Sequence, residues 1–140
     1  MKIKIKKLYP DAQLPQTMRS GDAGIDFYSY KDYELKPGQR VIVETGVIAV
    51  VPDGYWGNIR DRGGLAGKHG LHTLAGVMDS NYRGEVQVVI MNLSQEAYKI
   101  KKGDRIAQTI IAKHETVELD EVDELDQTNR GEGRLASSGY

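Results

Sequence analysis

Short runs of β-branched residues, each closed by a glycine- or proline-centred turn, restrict this chain to an all-β architecture. Residues 2–6, Lys-Ile-Lys-Ile-Lys, alternate with period two and predict a half-buried strand. The stretch 40–51, Arg-Val-Ile-Val-Glu-Thr-Gly-Val-Ile-Ala-Val-Val, is broken by Gly46 and closed by Pro52. Residues 85–92 and 105–112 are further strand candidates. Between these runs fall Lys36-Pro37-Gly38, Pro52-Asp53-Gly54, Tyr82-Arg83-Gly84 and Lys102-Gly103-Asp104, all turn-forming. With 16 glycines but one Phe and one Trp, the core must be filled by Val and Ile, which favour pleated strands. The one helix-compatible segment, near Gly64–Lys68, is short. Many short strands with evenly spaced turns predict an antiparallel sandwich or jelly roll.

A length of 140 residues suffices for one domain and its core. A net charge of −1 gives no bulk attraction to nucleic acid or an anionic membrane. No apolar run approaches the ~20 residues of a membrane span, and the absence of cysteine excludes disulfides and thiolate chemistry. The expectation is a soluble chain in a reducing cytoplasm. Segment 115–126 carries seven carboxylates and no basic residue. Its spaced Val117, Leu119 and Val122 predict an edge strand with a solvated acidic face. Residues 127–140 are Gly/Ser-rich and nearly devoid of apolar side chains, so burial cannot offset their ordering entropy. They are expected to form a flexible tail on a domain of residues 1–126, unless a ligand or neighbouring subunit holds them.

Four loops carry chemistry-bearing residues. Asp22-Ala23-Gly24-Ile25-Asp26 sets a carboxylate after a glycine turn, although a turn-forming Asp reads the same way. Arg62-Gly63-Gly64-Leu65-Ala66-Gly67-Lys68 joins an arginine to exposed amides at a helix start, a phosphate cradle or a plain glycine loop. In Gly76-Val77-Met78-Asp79-Ser80-Asn81-Tyr82-Arg83-Gly84, Asp79 is either a turn residue or a general base beside an aromatic platform. Arg130-Gly131-Glu132-Gly133 with Ser137-Ser138-Gly139 has the makings of a second phosphate clasp, or of a disordered tail.

Together, and in this order, the loops resemble the five motifs of the trimeric deoxyuridine triphosphatase (dUTPase) family, over about Ser20 to Gly139. Ala23–Asp26 resembles the first motif and Arg62–Ala66 the second. Gly76–Gly84 resembles the third, Gly103-Asp104-Arg105-Ile106-Ala107-Gln108 the fourth, and Arg130–Gly139 the fifth. The resemblance implies a distorted antiparallel jelly roll, or β-clip, with one short helix, assembling as a homotrimer with shared active sites. It implies hydrolysis of dUTP to dUMP and pyrophosphate, which keeps uracil out of DNA and supplies dUMP. A hairpin around Thr73 to Met78, with Thr73, Gly76, Val77 and Met78, would read uracil through backbone groups, with Gln87 also in the substrate-binding set. Tyr82 would pack on the deoxyribose, and Asp79 would activate the water that attacks the α-phosphorus. Arg62, the amides of Gly63 and Gly64, Gln108 and Arg130 would hold the triphosphate, and Leu135, Ala136, Ser137 and Ser138 would close over the nucleotide. The implied cofactor is Mg²⁺, held by phosphates and water, with Asp26 in its outer shell through water. The implied partners are dUTP and two further copies of the chain, not nucleic acid or membrane. The implied compartment is the cytoplasm, or a host's cytoplasm for a viral chain.

This chain departs from the family pattern at four positions. Gly63 stands where the second motif has serine, Leu135 where the fifth has an aromatic residue, and Arg134 and Ala136 where it has glycines. Two other readings follow. A relative that deaminates dCTP needs a glutamate base, and Glu44 and Glu85 lie outside any matching context. A nucleotide-binding regulator with weakened turnover would suit Gly63 and Leu135, but Asp79, Tyr82 and Gln108 oppose it.

Overall fold

The computed structural model describes residues 1–133, so Leu135, Ala136, Ser137 and Ser138 lie outside the described residues. Eleven strands and one helix follow in order: β1 (Lys4–Lys7), β2 (Ile25–Tyr28), β3 (Tyr33–Leu35), β4 (Arg40–Glu44), β5 (Val47–Val50), β6 (Tyr55–Arg60), α1 (Gly63–His69), β7 (Leu71–Leu74), β8 (Val77–Met78), β9 (Gln87–Asn92), β10 (Tyr98–Ile100) and β11 (Arg105–Lys113). All ladders are antiparallel. One sheet runs β2-β11-β6-β8 and a second β4-β9-β7, flanked by the pairs β1-β5 and β3-β10. The all-β jelly roll with one short helix expected from the sequence is the observed architecture. Its core is aliphatic, with Leu35, Val43, Val47, Val88, Ile90, Ile100 and Ile106 all buried.

The run 40–51 is two strands, because Gly46 turns the chain at φ 71° from the β4 sheet to the β1-β5 pair. A Cβ there would sit 2.9 Å from the Ala12 Cβ, so the corner requires glycine sterically as well as conformationally. Helix α1 ends on Gly70 in the left-handed region, whose N–H donates to the Ala66 carbonyl at 3.0 Å. Lys68 and His69 in its last turn suit the negative end of the helix dipole.

Two expectations are corrected. Residues 115–126 form no strand, and Leu119 and Leu125 are 91 % and 83 % exposed. Seven like charges repel along the segment, and its apolar side chains find no surface in their own chain to cover. The segment Thr73–Met78 is not a paired hairpin either, since β7 pairs with β9 while β8 pairs with β6. It is a corner that carries the chain from one sheet to the other.

Candidate active site

The first, second and fourth motifs meet in one groove, lined by Asp22, Gly24, Asp26, Arg62, Gly63, Gly64, Arg105 and Gln108. Asp26 is buried on β2, where β11 lies beside it and brings Arg105 and Gln108 to the same edge. Its two carboxylate oxygens each face a guanidinium: Arg62 Nε at 3.3 Å from Oδ1 and Arg105 Nη1 at 3.1 Å from Oδ2. Arg62 Nη1 also donates to the Arg105 carbonyl at 3.2 Å. One shared carboxylate thus holds two cations side by side and leaves the group with a net positive charge. Such a pre-paired cluster takes an anion without first having to order two long side chains.

Gln108 Nε2 donates to the Asp61 carbonyl at 2.9 Å, and its side chain lies against Gly24. A Cβ at position 24 would stand 2.0 Å from Gln108 Oε1, which explains the glycine in the first motif. At the start of α1, Arg62 makes no side-chain cap, so the first-turn amides of Gly63 and Gly64 are not capped by it. The space around Gly63 is open, with no atom within 4 Å of where a Cβ would stand.

The third loop builds a separate cavity of about 410 Å³. Gly76, Val77, Met78, Asp79, Tyr82 and Gln87 line it against Ile59 and Val88. Its corner is conformationally unusual: Ala75 has φ 62° and Gly76 φ 118°. A non-glycine residue in the left-handed region costs ~1–2 kcal/mol, so its surroundings must fix it there. Ile59 N–H donates to the Gly76 carbonyl at 2.8 Å, and a Cβ at position 76 would fall 2.8 Å from the Ile59 carbonyl oxygen. Tyr82 donates to the Glu85 carbonyl at 3.0 Å with its ring across Gly84, where a Cβ would lie 2.3 Å from the hydroxyl. Arg83 closes this loop by donating to the Ser80 and Tyr82 carbonyls at 2.7 and 2.8 Å. Asp79 is exposed at the rim, directly after β8, and also borders a cleft with Tyr55, Trp56 and His114.

The fold therefore gathers Asp26, Arg62, Gly63, Gly64 and Gln108 in one place and Gly76, Val77, Met78, Asp79, Tyr82 and Gln87 in another. Thr73 lies between them, in a cleft that includes Asp61, Gly63 and Gln108. Arg130 is exposed in the last described turns, with its Nε donating to the Gly133 carbonyl at 3.0 Å. Two residues emerge that the sequence did not single out. Arg105 was visible inside the fourth motif, but its pairing with Asp26 spans the sheet. Asp61 had no local signal at all. Its carboxylate accepts from the Thr73 amide and hydroxyl, each at 2.6 Å, and lies 2.7 Å from His72 Nδ1. Partial burial pushes the Asp61 carboxyl up, but hydrogen bonds from Thr73 and His72 outweigh it and hold the group below its ordinary value.

Among the described residues no group of three or more His, Cys, Asp or Glu could cage a metal ion. The dUTPase family model matches residues 10–139. The deoxyuridine 5'-triphosphate nucleotidohydrolase of Nautilia profundicola is 45 % identical over 141 residues, covering 99 % of each chain. The Staphylococcus bacteriophage 80alpha dUTPase, solved with dUPNHPP, superposes with a TM-score of 0.92 at 28 % identity, covering 99 % of both chains. A mutant dUTPase from phage phi11 of S. aureus, solved to detail the coordination of a structural Mg(II) ion, superposes at 0.84 with 25 % identity, covering 91 % of this chain and 100 % of that one. Matched in sequence over nearly its whole length and in fold over all its described sheets, this chain belongs to the dUTPase family.

Proposed function

We propose that this chain hydrolyses dUTP to dUMP and pyrophosphate, with Asp79 as the base that activates the attacking water. The observation that carries this reading is Asp79 at the rim of a cavity walled by the Gly76–Met78 backbone and Tyr82. Backbone donors and acceptors around Gly76, Val77 and Met78 suit the polar edge of uracil, and crowding there rejects a thymine methyl. Thr73 contributes from the neighbouring strand, and Gln87 lines the far wall. Tyr82, anchored to Glu85 and set across Gly84, packs on the deoxyribose and leaves no room for a 2′-hydroxyl. Asp79 orients the water and takes its proton as the water oxygen attacks the α-phosphorus; pyrophosphate leaves, and no covalent intermediate forms. Arg62, the Gly63 and Gly64 amides, Gln108 and Arg130 hold the triphosphate, with Arg105 completing the cationic cluster around Asp26.

The residues of the groove fit a magnesium ion that arrives on the phosphates with most of its water, because Asp26 already serves two arginines and reaches such an ion only through water. When bound, the ion neutralises charge on the phosphates. The base cavity and the phosphate groove have no lining residue in common. That separation supports a homotrimer in which each site takes Asp79 from one chain and Arg62 from another, closed by the 127–140 tail with Leu135, Ala136, Ser137 and Ser138. The exposed Leu119 and Leu125 offer apolar surface to such neighbours. A cytoplasmic setting suits the reaction, and no described helix is long and apolar enough to cross a membrane.

The deaminase reading gains no support from its two glutamates. Glu85 borders the base cavity, but its carboxylate accepts from the Gly46 amide at 2.6 Å, and Glu44, which does not line that cavity, pairs with Lys31 at 2.6 Å. Incubation with dUTP, dCTP, dTTP and UTP in turn, with Mg²⁺, tests the proposal. Pyrophosphate should come from dUTP selectively and cease when the metal is chelated. Ammonia from dCTP, or equal turnover of UTP, would contradict it.

A further inference from the structure

Asp61 bonds toward both halves of the site. Its main-chain carbonyl receives Gln108 of the phosphate groove at 2.9 Å, while its carboxylate holds Thr73 by amide and hydroxyl, each at 2.6 Å. Thr73 is buried, so its hydroxyl is committed to Asp61. Two residues later the chain makes the left-handed Ala75–Gly76 turn that forms a wall of the base cavity. That turn is gripped from both sides: Ile59 N–H holds the Gly76 carbonyl, and the Asp61 clamp fixes the strand leading into it. A strained corner persists only where its surroundings over-determine it.

We infer that Asp61 is a positioning residue for base selection: by clamping Thr73 it sets the Ala75–Gly76 corner, and so the width of the cavity that admits the pyrimidine. This rests on the base-cavity reading given above. Asp61 acts through Thr73: its carboxylate, in the cleft shared with Gly63 and Gln108, is already bonded to Thr73 and His72. A substitution of its side chain leaves its carbonyl, and hence Gln108, in place. The effect should therefore fall on base binding, not on the phosphate groove.

Steady-state kinetics of the full-length chain with dUTP and dCTP, in Asp61→Asn, Thr73→Val and Thr73→Ser, test this. A neutral acceptor makes weaker bonds than a carboxylate. Asp61→Asn should raise KM for dUTP about tenfold, the scale of one charge-assisted hydrogen bond. It should lower the dUTP-over-dCTP ratio of kcat/KM by a similar factor, with kcat changed by no more than about twofold. Thr73→Val should do the same in smaller measure, and Thr73→Ser, which keeps the hydroxyl, should recover most of the ratio that Thr73→Val loses. A general loss of folded protein would lower kcat and leave the ratio alone. Folded variants with the parental ratio would overturn the inference, and Thr73→Val decides the question alone if Asp61→Asn does not fold. Amide hydrogen exchange without nucleotide is the second reading. Exchange at Thr73, whose amide donates to Asp61, and at Ile59, whose amide donates to the Gly76 carbonyl, should accelerate about tenfold in Asp61→Asn, by the same hydrogen-bond arithmetic, while Val88 and Ile90 stay protected. Unchanged exchange removes the clamp. A parent chain with no preference for dUTP would instead overturn the base-cavity reading, even where exchange still reported the clamp.

Discussion

Asp79 sits at an exposed rim, and the proposed chemistry rests on its one carboxylate. Asp79→Asn keeps the shape and loses the base, so it should bind a non-hydrolysable dUTP analogue normally and turn over ~10²–10⁴-fold more slowly. A rate within a few-fold of the parent would remove Asp79 from the mechanism. Gly84 makes a sharper point about the sugar. A methyl group there would meet the Tyr82 hydroxyl at 2.3 Å, and the half-exposed ring gives way by releasing its bond to the Glu85 carbonyl. Gly84→Ala should fold normally, displace Tyr82, and raise UTP turnover relative to dUTP; an unchanged ratio would show that Tyr82 does not select the sugar. Gly63 has open space around it, so a serine enters without a clash. Gly63→Ser should tighten the same analogue by up to about tenfold, the value of one hydrogen bond to a charged group. Isothermal titration that shows equal affinity would mean the missing hydroxyl has no role.

At the scale of elements, sequence and structure agree where the signal is local. The β-branched runs at 85–92 and 105–112 contain β9 and nearly all of β11, and Gly64–Lys68 lies inside α1. The motif loops were readable because a phosphate groove or a base needs particular residue types at short spacing. What the sequence hid is long-range pairing. Alternation at Val117, Leu119 and Val122 specifies a face but not a partner, and within one chain no partner strand meets it. The Thr73–Met78 corner resembled a hairpin because a turn looks alike whether or not its flanking strands pair with each other. Asp61 was invisible because its meaning lies in Thr73, twelve positions away. Its depressed carboxyl has a consequence for stability. A carboxylate whose folded value lies below its unfolded value stabilises the protein above the unfolded value, near pH 4, and loses that contribution as pH falls through the folded one. The stability gap between the parent and Asp61→Asn should therefore be widest near neutrality and shrink below about pH 4. Urea unfolding at pH 7 and pH 3 measures it, and a gap that widened in acid would contradict the assignment.

For the whole molecule, the homotrimer proposed from the separate cavities would make the active site a property of the assembly. Mixing inactive Asp79→Asn chains with inactive Arg130→Ala chains should restore activity, because mixed trimers contain sites with neither lesion. No recovery after co-refolding, or full activity at a sedimentation mass of 15.6 kDa, would rule out shared sites. In the proposed mechanism, water readied by Asp79 attacks the α-phosphorus of dUTP. Hydrolysis with Mg²⁺ in ¹⁸O-enriched water, followed by mass spectrometry of both products, locates that attack. One labelled oxygen should enter dUMP and none pyrophosphate; label in pyrophosphate, or no cleavage of dUTP at all, would rule the mechanism out.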